Sequence, residues 1–114
     1  MNLSTFPHAI ATASYNLLKI ASEIRTMRSA ILELEAEIDS CIAFGEFKND
    51  AQRKAAKSQL LKENNFYDQR CSQLQVLTDK YAHEEIALNL IKNNFTVAKL
   101  EARERIAKME TLAS

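Results

Sequence analysis

The chain has 114 residues, 46% of them hydrophobic, with 15 Lys and Arg against 15 Asp and Glu, a composition in the ordinary range for a globular domain. It holds a single Gly and a single Pro, where average usage gives about eight and six at this length; that scarcity excludes a multi-stranded sheet with its turns and a Gly-rich phosphate-binding loop. No apolar run approaches the roughly 18 residues of a membrane span, and the opening residues, Met1 to Thr5, lack the charged-then-apolar order of a secretory signal, so a cytoplasmic location without a membrane partner is expected.

The first element is a long helix over about 6–44. Pro7, behind Ser4 and Thr5 as candidate caps, suits a helix start, and Gly45 is the residue that takes a left-handed conformation without strain. Between them a heptad runs through Ile10, Leu17, Ile24, Ile31 and Ile38, with Ala13, Ile20, Met27, Leu34 and Cys41 three residues later. At 1.5 Å per residue such a helix is on the order of 58 Å long, too long for the interior of a compact globule. It must therefore lie along another long helix.

A short helix follows over about 49–63. Asn49 is placed to cap it, and Gln52 to return the bond as in a capping box; Ala51, Ala55, Ala56, Leu60 and Leu61 form its apolar stripe. Asn64 and Asn65 offer the next break and a new cap. The last helix, over about 66–111, repeats Tyr67, Leu74, Tyr81, Leu88, Phe95, Ala102 and Met109 every seven residues. Leu77, Ile91 and Ala98 fill a second row that Arg70, Glu84 and Arg105 interrupt. Short connections make the two long helices antiparallel. The expected fold is all-α: a single domain over 1–114, built as a long antiparallel helical hairpin, coiled-coil-like, with the short helix folded over the connecting end. In that hairpin Cys41 and Cys71 fall at nearly the same height. They are expected to pack there as thiols and to become candidates for a bridge after oxidation.

Apolar residues remain after the seam is filled. Ile86, Leu90, Val97 and Leu100 form a second series on another face of the last helix, and Leu18 and Leu32 lie off the seam of the first. Such patches mark an interface, and a homodimer or higher assembly is expected. Charge is segregated as well: Lys48, Arg53, Lys54, Lys57 and Lys62 cluster on the short helix, and Glu33, Glu35, Glu37 and Asp39 near the end of the first. The basic cluster is either a phosphate-binding face for nucleic acid or is neutralised within the fold by the acidic group. Lys92, Lys99, Arg103, Arg105 and Lys108 are interleaved with Glu101, Glu104 and Glu110, in the favourable i to i+4 order of a solvated helix surface.

Chemistry-bearing constellations are scarce. His83-Glu84-Glu85 puts an imidazole and two carboxylates in one turn, but the Glu-x-x-His pairs of a di-iron bundle are missing, and no Cys or His has metal-ligand spacing. No cofactor, metal or catalytic residue is expected. The stretch Lys48 to Ala56, with Leu60-Leu61 and Asn65-Phe66-Tyr67, resembles small all-helical proteins of phages and prophages; Asn49, Arg53, Lys54, Ala55, Leu61 and Tyr67 carry the resemblance, with Phe95 and Arg103 later. Lys62-Glu63-Asn64-Asn65 departs from that pattern, which has an acidic residue and often a proline at the break. The resemblance implies a mobile-element protein of unassigned biochemistry. Two functions are in view: a non-enzymatic, self-associating helical protein that blocks or bridges an unidentified protein partner, or a nucleic-acid-associated protein, an accessory of phage recombination or replication or a small helical subunit of a nucleoprotein, that uses the basic short helix.

Overall fold

The structure, a computed structural model, describes residues 1–113. A short 3-10 turn, Leu3–Thr5, leads into α1 (Phe6–Ala43), followed by α2 (Asp50–Glu63) and α3 (Asn65–Ala113), with no strand among the described residues. The fold is an all-α helical hairpin. Pro7 occupies the second position of α1, where its missing N–H removes no helical hydrogen bond. The turn before it is closed by Thr5, whose amide and hydroxyl both donate to the Asn2 carbonyl, at 3.0 and 2.7 Å.

The chain divides into two compact units. One comprises Ile20–Lys80. Its core is the β-branched row of α1, with Ile20, Ile24, Ile31, Ile38 and Ile42 buried, and α3 contributes half-buried Tyr67, Leu74 and Leu77. The heptad is thus used as expected up to Ile42, which replaces Cys41 as the last buried position. Cys41 is exposed. The last turns of α1 lie against α2, which has no buried residue of its own and leaves Cys41 uncovered.

Gly45 also departs from expectation: its φ is not positive, nor is that of any other described residue. α1 closes instead with a tightened turn in which the Gly45 amide donates to the Ile42 carbonyl at 3.1 Å. A Cβ at this position would meet the tip of the Phe47 ring, so a larger residue here would make that ring move. Asn49 caps α2 with its side chain, accepting from the Gln52 amide at 2.9 Å. Gln52 returns a bond, but to the Lys48 amide at 2.8 Å, one residue before the cap. Asn64, extended at φ −85° and ψ 103°, ends α2 and starts α3 by accepting from the Tyr67 amide at 3.0 Å. α2 itself has no buried residue. It is held to α1 by an ion pair from Lys57 Nζ to Asp39 Oδ1 at 2.8 Å.

Because α2 takes the last turns of α1, α3 meets α1 farther back. Tyr67 donates to Glu35 at 3.2 Å. An antiparallel register anchored there puts Cys71 opposite residues near 31, roughly 15 Å along the helices from Cys41. The two thiols are therefore not at one height, and a bridge needs Cα atoms within about 7 Å. Both are free.

The second unit joins Met1–Lys19 to α3 from Tyr81 onward. Phe6, Leu17 and Leu88 are its buried residues, with Ile91, Phe95, Ala98 and Ala102 half-buried. Phe6 stacks on Phe95, with ring centroids 5.3 Å apart and planes at 19°. α1 begins at that stack, so the following turns of α3 run out of partner. Ile106 and Met109 are consequently exposed, Met109 at 68%, although the heptad placed Met109 in the seam.

Candidate interaction surface

The six apolar residues expected at an interface are all exposed. Ile86 is 70% accessible, and Leu18, Leu32, Leu90, Val97 and Leu100 lie between 51% and 63%. At 100° per residue, Ile86, Leu90, Val97 and Leu100 share a sector of about 80° on α3, opposite the face that buries Leu88 and Phe95. These four form one stripe within a single unit. Leu18 is on α1 in that unit, whereas Leu32 belongs to the other. Tyr15, Val76, Phe66 and Phe44 are large exposed apolar residues that the heptad reading did not single out. Val76 and Phe66 have no second apolar residue three or four positions away on α3, which is the signal that picked out the stripe, whereas Tyr15 comes one turn before exposed Leu18.

The basic helix is partly neutralised by its neighbours. Lys57 pairs with Asp39, and the hydrogen bond to that carboxylate, with its charge and that of Glu35, holds the ammonium pKa above the ordinary lysine value against a smaller opposing effect of burial. Arg53 pairs with Asp50 of its own helix at 2.7 Å. Lys48, Lys54 and Lys62 form no ion pair within 4.0 Å among the described residues. On α3, Glu101 to Arg105 and Glu104 to Lys108 form none either, so that surface is solvated without the pairing their spacing allows. Lys99 lies over the Phe95 ring, 4.5 Å from its centroid.

Tyr67 is a strongly perturbed titratable group. Burial, the Cys71 thiol beside it and the Glu35 carboxylate it donates to push its pKa up to about 12. One turn along, Arg70 has its Nε buried with no hydrogen-bond partner among the described residues. A shallow groove opens nearby between Met27 of α1 and Ser72, Val76 and Leu77 of α3.

Among the described residues no three His, Cys, Asp or Glu side chains come together to hold a metal ion, and no helix is long and apolar enough to cross a membrane. Comparison with protein-family models, curated proteins and solved structures finds no match to this chain.

Proposed function

We propose that the chain is a non-enzymatic helical interaction protein that self-associates and acts sterically, presenting a helical face that blocks or bridges a protein partner. The observation that supports this reading is the exposed stripe of Ile86, Leu90, Val97 and Leu100, directly opposite the buried face of the same helix. A helix with apolar residues on two opposite faces has one more face than a hairpin uses. A cytoplasmic setting and a mobile-element origin belong to the same proposal, the latter through the resemblance around Lys48 to Ala56. The nucleic-acid reading has less support, because Lys57 and Arg53 already have carboxylate partners.

Replacing Leu90 and Val97 by Glu tests the proposal. Both side chains are exposed, so helical content by circular dichroism is expected to be unchanged while the mass by light scattering falls to that of one chain. An oligomer of unchanged mass in the double variant would remove this stripe from the interface.

A further inference from the structure

The stripe has features beyond its apolarity. From Ile86 to Leu100 the only charged residues are Lys92 and Lys99. Both lie toward the flank of the buried face, and Lys99 is engaged over Phe95. The outward half of the helix over these turns, with Ala87, Asn89, Asn94 and Thr96 beside the apolar residues, carries no charge at all in a chain that is 26% charged. A solvated helix face is where charge normally accumulates. The stripe also keeps strict steps of four and three through Ile86, Leu90, Asn93, Val97 and Leu100, the spacing of a two-helix seam, with a single amide at its centre.

That central amide narrows the choice of partner. An exposed Asn placed against an apolar surface loses its hydrogen bonds to water, and a foreign helix would have to offer a matching group at that one spot. A second copy of this chain brings that group with it, since each amide both donates and accepts. With Asn93 on Asn93, two orientations remain. The parallel one puts Glu104 against Glu104 at the end of the seam, a like-charge contact. The antiparallel one brings Ile86 to Leu100 and Leu90 to Val97, and at about 15 Å from the centre it places His83 beside Glu104 at both ends. Among the described residues neither His83 nor Glu104 has a side-chain partner within its own chain.

We infer that the occupant of this stripe is a second copy of the chain, packed antiparallel along α3 about a two-fold axis at Asn93. This rests on the self-association proposed above and adds to it the partner, the register and the direction.

Cysteine cross-linking of the full chain, in a Cys41→Ser, Cys71→Ser background whose helicity is checked by circular dichroism, tests it. Asn93→Cys is expected to form a disulfide-linked dimer under mild oxidation. Ile86→Cys and Leu100→Cys are expected to link to each other when mixed, and neither to itself. Sedimentation equilibrium on the unaltered chain is run alongside. An oligomer in which Ile86→Cys links to itself as fast as to Leu100→Cys, or in which none of the three positions links, overturns the antiparallel pairing and leaves self-association standing. A chain that sediments as a monomer at its highest soluble concentration overturns both.

Discussion

Tyr67 shows how much a single side chain can report about this fold. Its hydroxyl donates to Glu35, 32 positions earlier, and its pKa is pushed to about 12, above the ordinary value of 10.0. A phenol whose pKa is raised by folding contributes stability that is fully present below pH 10 and is lost as pH climbs through 10 towards 12. Tyr67→Phe is expected to lower stability at neutral pH by about 1 kcal/mol and to flatten the loss between pH 10 and 12. Urea melts at stepped pH measure both, and an equally steep alkaline decline in the variant would assign it to other groups. Lys57 acts in the same direction, since a pKa raised by Asp39 makes its contribution one that also fades only in alkali. The Lys57 contact was half legible: the sequence allows the basic short helix to be neutralised by the acidic end of α1, without saying that Lys57 and Asp39 are the pair. The Tyr67 contact was not, because it depends on the register between α1 and α3, and that register follows from where α2 lies, which no local pattern reports. The misplaced pair of Cys41 and Cys71 has the same origin. Caps are different: Asn49 with Gln52, and Asn64 with Tyr67, act within three residues, so their types and spacing suffice.

At the scale of elements, periodicity carried most of the information. The α1 row from Ile10 to Ile38 and the α3 row from Tyr67 to Ala102 become buried or half-buried positions because seven-residue spacing keeps side chains on one face of a helix whatever lies opposite. The same spacing says nothing of where the partner ends, and Met109, in phase but past the start of α1, is exposed for that reason. α2 is the weak element. It has no buried residue, and its stripe is largely alanine, so little apolar area holds it. Its cap then matters more than it would in a buried helix. Asn49→Ala is expected to cost about 1 kcal/mol, and to appear as faster amide exchange over residues 50–63 with the protection of Ile24 to Ile38 unchanged. Uniform loss of protection across α1 and α3 would instead show α2 to be part of one cooperative unit with them.

For the molecule as a whole, charge sums to zero while being unevenly distributed. A neutral chain meets no long-range repulsion from its own copies, a condition that favours assembly through an uncharged stripe. The all-α hairpin was legible from one Gly, one Pro and two heptads. The exposed stripe was legible too, because four apolar residues off the seam have nowhere to go in a hairpin. What stayed hidden is the division of the chain into two compact units, since α1 and α3 pass from one to the other without a break in sequence pattern. α2 carries a further consequence. Arg53, Lys54 and Lys57 all sit on this thinly anchored segment, which makes it the natural first target of a trypsin-like protease. Brief digestion is expected to nick the chain there and to yield two fragments, one containing α1 and one α3, separable in denaturant yet still bound to each other in native buffer by the isoleucine row of α1. First cuts at Lys19 or Arg25 would show that α1 opens before α2 does. With α2 cut, the covalent connection would prove dispensable, and two separately made helices could then be expected to reassemble the seam.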